Sequence, residues 1–293
     1  MQMSAPGAGV AIGIDLGGSK IAAGLVDRSG SVVASIVEVT PARDGPEAIC
    51  RLLGRVIGEL AETAGTRGHQ LMSVGLASAG IVSETGDVVT SVTDALPDWA
   101  GRPIMAELGR YVDVPAFLVN DVQAMAVGEL NFGVGAGFAA ALYVAVGTGI
   151  GGALAFSQAL YRGRHGYAGD IGHVVVDIGI GALLCPCGRR GHLEAYASGP
   201  ALVRAYEQRT GLDVHGDLRE IAAEAAMGSV EAANVLEEGA NVLGRVLGGV
   251  ASLLDPDVVI FGGGLLALGK LFWPFVEKAI NNEIRLPNWG AIM

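Results

Sequence analysis

The chain has 293 residues, 51% of them hydrophobic and 17% charged, which is enough apolar material for two cores and excludes a disordered chain. A net charge of -11 without Lys/Arg clusters argues against nucleic acid and anionic membranes as partners, since both require concentrated positive charge. Apolar runs such as Ala139 to Val146 are too short and too Gly-punctuated to span a bilayer, and Met1 to Gly9 lacks the regions of a signal peptide, so a cytoplasmic protein is expected.

Val10 to Leu16 is an apolar run ended by Gly17-Gly18, and a second run from Ile21 to Val26 follows, which predicts a hairpin. A third strand is expected from Ser31 to Val39, and a helix from Pro46 to Ala64, where Ile49, Leu52, Leu53, Val56, Ile57 and Leu60 fall on one face. Val74 to Ala77 predicts a short buried strand. Phe117 to Val119 predicts another, with Asn120-Asp121 at its end before a helical stretch from Val122 to Leu130.

Ala141 to Val146, a Gly147-Thr148-Gly149 turn and Ile150 to Phe156 then repeat the opening hairpin, which predicts an internal duplication. The expected organisation is α/β with two lobes, a small one over 1–119 and a large one over 120–293, with a nucleotide in the cleft between them. Gly199 to Thr210, Leu218 to Met227 and Val230 to Leu254 carry helical patterns; Asp255-Pro256 breaks the last, and the strand Val258 to Phe261 runs into Gly262-Gly263-Gly264.

In the first Gly turn, Gly17, Gly18 and Ser19 offer N–H groups and a hydroxyl to phosphate, Asp15 can hold Mg2+ through water, and Lys20 either touches phosphate or is an exposed strand lysine. A bare hairpin turn is the competing reading, and the matching turn at Gly147-Thr148-Gly149 weakens it. The pattern is neither the Walker loop nor the dinucleotide fingerprint, because the runs continue as strands. Gly263 and Gly264 end a strand where backbone can approach adenine or ribose, or simply turn.

Asp121 is either a helix N-cap or the carboxylate that accepts a hydroxyl proton during phosphoryl transfer. Cys185, Cys187 and His192, with His173 upstream, offer two sulfurs and two imidazoles suited to tetrahedral zinc, with buried thiols as the alternative and Cys50 standing apart. Four ligands close the coordination sphere, so the expected role is structural. Asp170 and Glu194 flank this segment, as carboxylates for vicinal sugar hydroxyls or as solvated surface acids.

In this order and spacing the motifs resemble the family named for repressors, open reading frames and kinases (ROK), especially its bacterial glucokinase-like branch. The resemblance implies two actin-like or ribonuclease-H-like lobes and transfer of the ATP γ-phosphoryl to a hexose, usually at O6. It implies Asp121 as catalytic base; Gly80, Asn120, Asp170, His173 and Glu194 as sugar contacts; zinc on His173, Cys185, Cys187 and His192; and a homodimer or tetramer. DNA binding is disfavoured, since too little chain precedes the first strand for a helix-turn-helix domain.

Four departures bear on the substrate, the metal and the end of the chain. Asp170 replaces the family's Glu, retracting a carboxylate by roughly 1.5 Å, about one C–C bond. Leu96, in Leu96-Pro97-Asp98-Trp99, stands where a sugar-contacting Asn is common. Both favour an amino sugar (kanosamine, glucosamine or N-acetylmannosamine) as the alternative to glucose, with a non-catalytic sugar sensor as a further possibility. His192 replaces a zinc Cys, a chemically acceptable exchange. The family's C-terminal return helix is expected to be missing.

Overall fold

The alternation of Val10, Ile12, Ile14 and Leu16, each nearly inaccessible, sets one face of strand β1 (Gly9–Leu16) against a core. This is a computed structural model, described for residues 9–91, 96–284 and 291–293. β1 pairs antiparallel with β2 (Lys20–Asp27), and β2 with β3 (Val32–Val39). Helix α1 (Pro46–Thr66) starts on Pro46, whose missing N–H costs a first turn nothing, and buries Ile49, Leu53, Val56, Ile57 and Leu60. It returns the chain to β4 (Gln70–Ser78), parallel to β1. That strand begins before the expected Val74, because Gln70 and Leu71 already pair with Gly9 and Val10 although Gln70 is polar.

A small ribbon, β5 (Ile81–Val82) and β6 (Val89–Ser91), and a short helix α2 (Ile104–Leu108) precede β7 (Ala116–Asn120), parallel to β4. Helix α3 (Asp121–Phe132) follows without a loop. The first sheet has the order β3-β2-β1-β4-β7.

The second sheet repeats it. β8 (Ala140–Val146) and β9 (Ile150–Phe156) form the hairpin, and β10 (Ala159–Tyr161) adds to its edge. An irregular stretch with a 3-10 turn at Ile171–His173 leads to α4 (Glu194–Ala197), α5 (Gly199–Thr210), α6 (Leu218–Ala226) and the long α7 (Val230–Leu254). Ser198 and Ser229 accept N–H bonds at the starts of α5 and α7. Asp255, left-handed at φ 47°, ends α7 before β11 (Val258–Gly262), parallel to β8. A 3-10 stretch from Gly264 to Leu271, broken at Gly269, precedes α8 (Trp273–Glu283) and β12 (Ala291–Ile292). The order is β10-β9-β8-β11-β12, so hairpin, crossover and parallel strand recur in both sheets.

The chain forms two units. One holds residues up to Gly128 together with Gly163–Tyr167; the other holds Glu129–Arg162 and the residues from Ala168 on. The expected division after residue 119 falls one residue before the end of β7, whereas these units divide within α3. Each has its own core: Ile12, Leu25, Leu53, Ile57, Leu76 and Trp99 in the first; Val144, Val146, Leu202, Leu236, Leu243 and Leu247 in the second. In the second, Gly244 and Gly248 bring α7 against α8. A Cβ on Gly244 would lie 2.5 Å from the Val276 carbonyl oxygen and from the Ala279 Cβ.

Candidate active site

In the first unit, the β7–α3 junction places Asn120 and Asp121. The N-cap expected of Asp121 is made by Asn120, whose Oδ1 accepts the Gln123 N–H at 3.1 Å. Asp121 is thereby not needed as the cap; its Oδ1 accepts the Val122 N–H at 2.9 Å and the Asn120 side-chain NH2 at 2.8 Å. The same NH2 donates to the Gly80 carbonyl at 2.8 Å, so Gly80 enters the site through its backbone. Burial pushes the Asp121 carboxyl above the usual carboxylate range, opposed by the Val122 N–H and reinforced by the charge of Asp15. Asp15, at the end of β1, is itself raised by burial, with Lys20 pulling the other way.

The turn after β1 differs in one respect from expectation. The Gly17 N–H closes on the Lys20 carbonyl at 3.0 Å and the Gly17 carbonyl accepts the Thr40 hydroxyl at 2.7 Å. Gly17 therefore offers no N–H outward, and phosphate recognition would fall to Gly18, Ser19 and Lys20. The second turn behaves alike: the Gly147 N–H closes on Gly149 at 2.9 Å, which leaves Thr148 at the tip, exposed.

In the second unit the turns and the metal-type cluster come together around Glu194. Its Oε2 accepts the Ile150 N–H at 2.8 Å, and a Cβ on Gly149 would lie 2.6 Å from that oxygen. Gly263, at φ 92°, lies against β8 so closely that a Cβ would meet the Val146 carbonyl at 2.4 Å, and the site of a Cβ on Gly147 is 3.6 Å from the Gly264 nitrogen. Only Gly fits at 263, on both counts. The Gly147–Gly149 turn and the Gly263–Gly264 turn thus adjoin.

Ligand atoms of His173, Cys185, Cys187 and His192 all lie within 4.8 Å of one another. The Cys187 sulfur is 3.2 Å from Nδ1 of His192, and the two rings meet edge to face with centroids 5.1 Å apart. Burial pushes the Cys185 thiol up to about 12, whereas at Cys187 the Arg189 N–H and the Cys185 thiol outweigh partial burial and hold it below the usual value. Two cysteine sulfurs with two imidazoles are a donor set fit for zinc. His173 Nδ1 is 3.0 Å from Asp170 Oδ1, a bond that pushes the imidazole up to about 9 and leaves Nε2 for a metal.

The bracket behind this loop goes beyond the sequence expectations. Tyr196 donates its hydroxyl to Asp177 at 2.7 Å and accepts the Leu183 N–H at 2.8 Å, fixing the segment ahead of Cys185. A Tyr two residues beyond Glu194 was the available signal. Leu96 is wholly buried in the first core and presents nothing to a sugar, and Trp99, also buried, donates to the Ser78 hydroxyl at 3.1 Å.

The repeated sheet order is that of the actin-like, ribonuclease-H-like fold of duplicated α/β units. The sequence profile of the ROK family matches residues 11–292, and the chain belongs to that family. It is 34% identical over 301 residues to a glucokinase of Streptomyces coelicolor, covering 97% of this chain and 91% of that one. It is 31% identical over 286 residues to an N-acetylmannosamine kinase of Yersinia pestis, covering 95% and 90%. The crystal structure of a ROK glucokinase from Streptomyces griseus, solved with glucose and AMPPNP, superposes with a TM-score of 0.80 at 31% identity over 97% of this chain and 93% of that one.

Proposed function

We propose that this protein is an ATP-dependent sugar kinase that transfers the γ-phosphoryl group to a hexose hydroxyl, O6 of glucose or of a glucose-like sugar. The observation that carries the reading is Asp121: a half-buried carboxylate at a strand end, relieved of capping, with its proton affinity raised by burial and by Asp15. A general base works best when its pKa approaches the working pH. Relatives that bear the names glucokinase and N-acetylmannosamine kinase, and a neighbour solved with glucose and AMPPNP, support the class of reaction.

In this reading Asp121 takes the proton of the attacking hydroxyl, and Asn120, Asp170 and Glu194 hold the other hydroxyls. Gly18, Ser19 and Lys20 and the Thr148 turn take phosphate, Asp15 holds Mg2+ through water, and Gly263–Gly264 lies along the nucleoside. His173, Cys185, Cys187 and His192 hold zinc, which when bound ties the loop ahead of Glu194 into one conformation. With Nδ1 on Asp170 and Nε2 on the metal, His173 has no nitrogen left for a hydroxyl. Three free cysteines accord with a reducing, cytoplasmic setting.

An amino sugar is the second reading; it is supported by the relative named N-acetylmannosamine kinase and by Asp170, whose short carboxylate is drawn to His173, and no longer by Leu96. The deciding experiment is ATP-dependent phosphorylation of glucose, mannose, glucosamine, kanosamine, N-acetylglucosamine and N-acetylmannosamine, ranked by kcat/KM. The expected outcome is turnover with a glucose-type sugar first. Preference for an amino sugar selects the second reading, and no turnover of any sugar means a sensor rather than a kinase.

A further inference from the structure

Asn120 has no freedom to turn its amide. Its NH2 faces two oxygens, the Gly80 carbonyl and Asp121 Oδ1, each at 2.8 Å, and its own Oδ1 receives the Gln123 N–H. A flipped amide would set oxygen against oxygen and NH2 against N–H. The Val122 N–H also falls on Oδ1 of Asp121, so both hydrogen bonds described for this carboxylate converge on one oxygen. One turn into the helix, Gln123 is 4% exposed and donates its side-chain NH2 to the Gly166 carbonyl at 3.2 Å, which braces the same end of α3.

We propose that Asn120 is a positioning residue for the base: its NH2 ties Asp121 Oδ1 to the Gly80 carbonyl, so that Oδ2 is the oxygen that receives the sugar proton. The inference rests on the reading of Asp121 as base. In the step, the sugar O–H bond breaks and its proton passes to Oδ2. The freed electron pair forms the bond to the γ-phosphorus, and the bond from that phosphorus to the bridging oxygen breaks as ADP leaves. With both donors of its NH2 engaged, Asn120 meets a sugar only as an acceptor, through the remaining lone pair of Oδ1. The charge acting on Asp121 comes from Asp15 of β1, itself beside Lys20; its other neighbours are N–H donors.

The test compares Asn120→Ser, Asn120→Ala and Asp121→Asn with the parent protein, in kcat, sugar KM and the pH profile of kcat/KM. Ser keeps an N-cap acceptor for the Gln123 N–H, so the fold is retained, but it is too short to bridge Gly80 and Asp121. Loss of a hydrogen bond to the ionised carboxylate should lower kcat about tenfold in both Asn120 variants and move the acid limb up by about one pH unit. A purely structural role would not move that limb. A raised sugar KM with the limb unmoved makes Asn120 a sugar ligand only and overturns the proposal. Activity retained in Asp121→Asn removes the base itself, a separate failure that takes the proposal with it.

Discussion

At the level of single residues, the chemistry of this protein turns on which carboxylate oxygens are already engaged. Asp121→Asn cannot accept a proton, and its turnover is expected to fall by about 10²–10⁴-fold, the usual worth of a positioned base, while calorimetry still detects sugar binding. The pH profile has a sign that follows from the surroundings. As the proposed base, Asp121 must be ionised, and burial with Asp15 raises its pKa, so kcat/KM is expected to fall on acidification at a pH above the ordinary carboxylate value. Asp15→Asn removes the like charge and should carry that limb to lower pH, the reverse of the Asn120 variants; an unmoved limb would show that Asp15 does not reach Asp121. Gly149→Ala sets a methyl 2.6 Å from Glu194 Oε2 and should raise the sugar KM by displacing that carboxylate, with the ATP KM as the control. The place of Asp121 just past a strand end and the gathering of the Cys and His residues were legible in the sequence. What was not was the sharing of hydrogen bonds: a cap made by Asn120 in place of Asp121, and an Nδ1 taken by Asp170, depend on rotamers that spacing does not fix.

At the level of elements, regular period was readable and short pieces were not. The hairpin strand at Ile150–Phe156 and the helices at Gly199–Thr210 and Val230–Leu254 coincide with their apolar patterns, because the strand is buried on both faces through its middle and each helix buries one face. β5, β6, α2 and β12 span too few residues to show a period. The stretch that carries the metal-type residues has one 3-10 turn and isolated bridges, Val175 with His192 and Leu184 with Arg190, so its course depends on Tyr196 and on backbone bonds across the loop rather than on propensity. Packing of α7 on α8 offers a test of the opposite kind. Gly244→Ala gains up to about 1 kcal/mol of helix propensity, but its methyl would overlap the Val276 carbonyl, and overpacking of this kind costs roughly 1–3 kcal/mol. The overlap wins, because the backbone of α8 must shift to relieve it, and denaturant unfolding should show a net loss. A stabilised variant would mean that α8 yields freely.

At the level of the whole chain, the duplicated sheet order was foreseen from two Gly-ended hairpins, since the sequence repeats strand, turn and strand at each start. Two cores with separate membership imply two cooperative units. All four metal-type ligands belong to the second, so chelation should lower the calorimetric transition of that unit and leave the first in place. A single transition shifted as a whole would mean that the cores melt together. The two copies differ most in one interval. Between β3 and α1 the first spans residues 40–45, whereas between β10 and α5 the second interposes residues 162–198, with the 3-10 turn, the Cys/His cluster and Glu194. A repeated scaffold thus carries the Cys/His cluster and Glu194 on a splice into one copy, at a point where the chain has already left the sheet. Replacements such as Asp170 and His192 fall within that splice, away from the strand register and from both glycine turns.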